Sequence, residues 1–70
     1  MKTFNLNFIG CELHTVVNGV LFVERIYGIN SRGFYQTKTT NTKTGHVSYK
    51  NLDQDTLDDI LEMGIATLVR

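Results

Sequence analysis

Val17-Asn18-Gly19-Val20 constrains this chain more than any other stretch of it. An Asn-Gly pair between β-branched residues favours a two-residue type I′ hairpin, because both turn positions need positive φ and these residues tolerate it best. The turn sets a register: Val17 opposite Val20, Thr15 opposite Phe22, Leu13 opposite Glu24, and Glu12 opposite Arg25. One face then gathers Cys11, Leu13, Val17, Val20, Phe22 and Ile26, and the other Val16, Leu21, Val23 and Tyr27. Both faces are substantially apolar, more than one short helix can cover.

The rest of the first fifty residues reads as strand and turn. Phe4, Leu6 and Phe8 alternate with Asn5 and Asn7, the period of a half-buried strand. The apolar set then slips to Ile9, Cys11 and Leu13, with Gly10 at the slip, which predicts a β-bulge or kink there. Asn30-Ser31-Arg32-Gly33 is a second hairpin loop. A third strand runs from Phe34 to about Thr40, a polar turn covers residues 41–45, and a short fourth strand covers 46–50, with Val47 and Tyr49 on one face.

Residues 51–70 read as an acidic amphipathic helix. Asp53 is a good N-cap, and Leu52 with Leu57 suits a hydrophobic staple. Leu57, Ile60, Leu61, Gly64, Ile65 and Leu68 follow helical spacing, and Gly64 on that stripe allows close approach to a strand. The expected fold is therefore α+β in a single domain of residues 1–70: a four-stranded antiparallel β-meander over residues 1–50, with one C-terminal amphipathic helix packed on the sheet. Leu57, Ile60, Leu61, Ile65 and Leu68 are expected in the core, against Phe4, Leu6, Phe8, Leu13 and Phe22.

At 70 residues the core is small, and a core of that size rarely supplies more than about 3–5 kcal/mol. The one cysteine permits no internal disulfide, which points to a cytoplasmic setting. The start alternates polar and apolar residues, unlike a signal peptide, and the apolar run Val20 to Val23 is too short to cross a bilayer. Cys11, His14 and His46 are too few for a zinc site, and alternation sends Cys11 and His14 to opposite faces. Gly28 and Gly33 match no phosphate-binding loop. No metal, cofactor or catalytic constellation is expected, and the chain reads as non-enzymatic.

Charge is the remaining functional clue. Residues 1–50 carry six Lys or Arg against two carboxylates, and residues 51–70 carry one Arg against five, so a net charge of zero hides a polarised molecule. Asp55, Asp58, Asp59 and Glu62 form a helix face suited to steering toward a basic site on a larger protein. The expected function is that of a small interaction module, a regulator or inhibitor docking on a larger host protein through its acidic helix or its sheet. The alternative is a nucleic-acid-binding domain using Arg32, Lys38, Lys43 and Lys50 with Tyr35 and Tyr49, since cations among aromatics suit backbone contact and base stacking. The apolar second face of the hairpin, Val16, Leu21, Val23 and Tyr27, is expected to be an oligomer interface in a homodimer or larger assembly, unless strands three and four curl over it.

The order of strands followed by one helix is similar to that of small sheet-based DNA readers such as integrase arm-binding domains, and of many small phage accessory proteins. That resemblance is architectural and implies a viral or mobile-element setting; the wealth of Asn, Thr, Lys and Ile agrees with an AT-rich genome.

Overall fold

The protein is described by a computed structural model over residues 8–70. Five strands and one helix follow in the order β1 (Glu12–Val17), β2 (Val20–Ile29), β3 (Tyr35–Asn41), β4 (Val47–Leu52), α1 (Gln54–Glu62) and β5 (Thr67–Val69). The strands form one antiparallel sheet in the order β4-β3-β2-β1-β5. The fold is thus α+β, a four-stranded meander extended by a fifth strand that returns beside β1 after the helix has crossed one face.

The first hairpin has the predicted turn and register. Asn18 and Gly19 both take positive φ, 50° and 78°, and the pairs run from Val17↔Val20 to Glu12↔Arg25 without a shift. The strand entering this hairpin begins at Glu12, just past the slip in alternation. Phe8 to Gly10 make a tight turn closed by the Cys11 N–H on the Phe8 carbonyl, and Gly10, at φ 91°, is the kink the slip in phase predicts. Phe4 and Leu6, assigned to the strand and the core on sequence, lie outside the described residues. A bulge between Ile26 and Gly28 in β2 lets Ile26 and Ile29 both face the helix while Tyr27 faces outward.

The other turns have local causes. The Asn30 side chain accepts the backbone N–H groups of Arg32 and Phe34, and the Asn41 side chain accepts those of Lys43 and Thr44. Each amide folds its loop back on itself, the habit of Asn at the start of a turn.

The C-terminal twenty residues depart from expectation. The helix spans Gln54–Glu62 and not 51–70. Its start is as predicted: Asp53 caps it by accepting the Thr56 N–H at 2.7 Å, and Leu52 and Leu57 flank the cap, both buried. Its end falls at Gly64, which takes φ 69°. The Gly64 N–H reaches the Leu61 carbonyl and the Ile65 N–H the Ile60 carbonyl, a Schellman closure that satisfies the last turn and turns the chain away. Gly64 is thus a stop, not a point of close approach. Beyond it Thr67–Val69 pairs with β1, Leu68 facing Leu13.

The core lies between the sheet and the helix. Leu13, Ile26, Tyr35, Leu52 and Leu57 are buried together, with Phe8, Ile29, Ile60, Leu61, Ala66 and Leu68 packed around them. Ile65, expected inside, is 52% exposed because the Schellman turn carries it past the end of the stripe. Tyr35, expected on a surface, is buried; its ring meets Phe8 edge-on and its hydroxyl donates to Gln54 Oε1 at 2.7 Å. A Tyr hydroxyl taken from water costs stability unless it finds such a partner.

Candidate functional site

The sheet has two faces, and α1 covers one. Strand alternation puts Val16, Leu21, Val23, Tyr27, Val47 and Tyr49 on the other, where nothing among the described residues packs over them. Val16 is 68% exposed, Tyr49 65% and Tyr27 48%; Leu21 and Val23 are half-buried. Tyr27 and Tyr49 approach edge-on with ring centroids 6.4 Å apart. The sequence missed this contact because it depends on the β2–β3–β4 register. Strands β3 and β4 extend the sheet and do not curl over the hairpin, so neither covers this face.

A charged row crosses this open face. Glu12, Arg25, Lys38 and Tyr49 are successive neighbours across β1 to β4. Glu12 accepts from or pairs with two groups, His14 Nε2 at 2.9 Å and Arg25 at 3.6 Å. His14 therefore belongs to the open face while Cys11 is buried opposite Ile26 on the helix side. Among the described residues no group of three or more His, Cys, Asp or Glu is placed to hold a metal ion.

The acidic residues form a separate surface. Asp55, Asp59 and Glu62 point to solvent from the helix, and Asp58, half-buried, accepts from Gln54 Nε2 at 2.9 Å. Since α1 packs its Leu57 side on the covered face of the sheet, these carboxylates lie on the far side of the molecule from Tyr27 and Tyr49. The acidic surface of the helix and the Arg25–Lys38 row on the sheet thus face opposite ways.

The basic and aromatic set does not converge. Lys38 and Tyr49 are cross-strand partners on the open face. Lys50 faces the other way, beside Glu24, with Nζ 3.7 Å from Oε1. Arg32 sits in the β2–β3 loop and Lys43 in the β3–β4 loop, at opposite ends of the sheet. Tyr35 is fully buried and offers no ring for stacking. Alternation along a Thr-rich strand has no apolar side to mark, which is why Tyr35 could not be assigned to a face on sequence.

A second concavity lies on the helix side. A cleft of about 300 Å³ opens between the β1–β2 hairpin and the end of α1. Its walls are Leu13, Val17, Phe22, Ile60, Ile65 and Ala66, and its floor holds Thr15, Glu24, Thr39 and Lys50.

Comparison with known proteins assigns no relatives: no family model matches the chain, and neither a curated protein nor a solved structure matches it. No helix among the described residues is long and apolar enough to cross a membrane.

Proposed function

We propose that this chain is a small non-enzymatic interaction module that docks on a larger protein through the open face of its sheet. The observation that carries this reading is the patch of Val16, Leu21, Val23, Tyr27, Val47 and Tyr49, over which no other described residue packs. Apolar patches of this kind on small chains usually mark an interface, and Tyr is enriched at the anchoring points of interfaces. Arg25 and Lys38 interrupt the patch with only Glu12 against them, so the complementary surface is apolar and bordered by acidic groups. Asp55, Asp58, Asp59 and Glu62 face away from that contact. Their role is to orient the molecule as it approaches, the acidic end trailing. A regulator or inhibitor acting by occlusion in the cytoplasm fits these features.

The adjacency of Lys38, Arg25, Tyr27 and Tyr49 favours a second reading, a nucleic-acid surface on the same face. The aliphatic residues around them favour the first, because Val and Leu add nothing to phosphate contact. A third occupant of the face is another copy of this chain, which would set two Arg25–Lys38 rows against each other.

Differential capture tests the proposal. The wild-type chain should retain a partner from host extract that Val16→Lys with Tyr49→Lys releases, while both proteins keep the same circular dichroism. Equal capture by the two proteins refutes it. Light scattering at micromolar concentration separates the third occupant: a mass of twice the 8.0 kDa chain assigns the face to a homodimer. Retention on duplex DNA or RNA that falls steeply with salt assigns it to nucleic acid.

A further inference from the structure

Strand β4 ends the sheet, and no described residue pairs with its outer edge. The Asn41 N–H donates to the His46 carbonyl at 2.9 Å, and this bond fixes the phase of the β3–β4 ladder. Alternation along an antiparallel pair then turns the main-chain groups of Ser48 and Lys50 toward β3, and those of Val47, Tyr49 and Asn51 outward. Folded proteins blunt such edges with very short strands, bulges or Pro. The opposite edge is of that kind, since β5 is three residues long. Strand β4 has six residues, exposed in succession from Val47 to Asn51; it contains no Pro and pairs with β3 without a bulge.

Charge selects what this edge accepts. From Arg25 to Leu52 the sequence holds Arg25, Arg32, Lys38, Lys43 and Lys50 and not one Asp or Glu. The carboxylates flanking that span are already engaged: Glu24 Oε1 lies 3.7 Å from Lys50 Nζ, and Asp53 accepts the Thr56 N–H. Two β4 edges joined about a two-fold axis would bring two such basic halves together with no carboxylate between them. A second copy of this chain is therefore disfavoured, as Lys on an edge strand commonly ensures. An acidic strand gains from the same charges. Phosphate oxygens could accept the outward N–H groups of Val47, Tyr49 and Asn51 but could donate nothing to their carbonyls. The alternating donors and acceptors match a polypeptide backbone better than a phosphodiester.

We propose that the partner of this module presents an extended acidic segment that adds to the sheet antiparallel to β4, with apolar residues beside Val47 and Tyr49 and carboxylates beside Ser48 and Lys50. This rests on the reading of the chain as a docking module and specifies what it docks to. The added strand prolongs the Tyr27–Tyr49 face by one row. Its apolar side chains join the patch while main-chain hydrogen bonds set its register.

Blocked heptapeptides alternating Val with Glu, or Val with Lys, make the test on the full-length ¹⁵N-labelled chain. The Glu peptide should shift the backbone amides of Val47, Tyr49 and Asn51 saturably and slow their exchange with solvent. The Lys peptide should bind about tenfold more weakly, because like charges brought together across an interface oppose binding. In an antiparallel addition the residues beside Tyr49 turn their N–H groups to β4. Methylating the Val nitrogens of the Glu peptide should therefore abolish binding, and methylating its Glu nitrogens should not. The proposal is overturned if the Glu peptide leaves those amides unmoved at millimolar concentration, or if the Lys or Val-methylated peptide binds equally. It is overturned in favour of nucleic acid if a duplex oligonucleotide displaces the peptide and shifts the same amides, and in favour of a second copy if they shift on concentrating the chain alone. Should the peptides fail while Val16→Lys with Tyr49→Lys still releases a captured partner, docking by the face stands and only the edge strand is refuted.

Discussion

Ile65 donates its backbone N–H to the carbonyl of Ile60 at 3.1 Å, and that bond ends the helix. It forms because Gly64 between them takes φ 69°, where a Cβ would meet no neighbour within 4 Å. Backbone strain is then the whole cost of a side chain there. Gly64→Ala should destabilise by about 1–2 kcal/mol, the penalty of a left-handed non-glycine residue, and Gly64→Asn by less. Urea unfolding measures both; an Ala variant as stable as wild type would mean the helix continues past residue 64.

Gly19 makes the same demand at the other end of the molecule, with φ 78° next to Asn18. Gly19→Val should cost more than about 1 kcal/mol, since a β-branched residue resists positive φ. Unchanged stability would place the turn elsewhere and undo the β1–β2 register.

Leu57 and Ile65 were equivalent on the helical stripe and are not equivalent in the fold. Leu57 is fully buried and Ile65 is 52% exposed. Leu57→Ala should therefore cost about 2–5 kcal/mol, much of the stability of so small a domain, and Ile65→Ala under about 1 kcal/mol. Equal effects by denaturant titration would mean that the residues beyond Gly64 pack inside.

The helix cap gives stability a pH dependence. Hydrogen bonds from the Thr56 side chain and backbone N–H hold the Asp53 carboxyl below its usual 3.8. A carboxyl lowered by folding stabilises the fold above its unfolded value and ceases to do so as pH falls through the lowered one. The melting temperature should drop from roughly pH 4 downward, and Asp53→Asn, which can still cap but does not titrate, should show a shallower drop. Parallel curves for the two proteins would show that the cap is not linked to protonation.

The acidic face should be separable from folding. Replacing Asp55, Asp58, Asp59 and Glu62 by Asn and Gln should change stability by no more than about 0.5 kcal/mol per site. The association rate with a captured partner should fall, most at low ionic strength. A dissociation rate that rises instead would put these residues inside the contact.

Features with a local cause were legible in the residues that make them. Asn18-Gly19 carries its own φ preference and so sets the hairpin, its register and the face shared by Val16, Leu21 and Val23. Asp53 names its own helix start through a bond to a residue three positions away. Tertiary structure decided what depends on partners far along the chain. Leu68 fits a helical stripe and a strand equally well, and the open edge of β1 resolves the choice by offering hydrogen bonds to residues 67–69. Tyr35 has no face until Leu52, Phe8 and Gln54 assemble around it. The cleft's polar floor likewise needs Glu24, Thr39 and Lys50 from three strands. The short loops at 30–34 and 42–46 mark where the chain turns, but the bulge between Ile26 and Gly28 shifts the pairing, and the packing of the whole sheet settles that register.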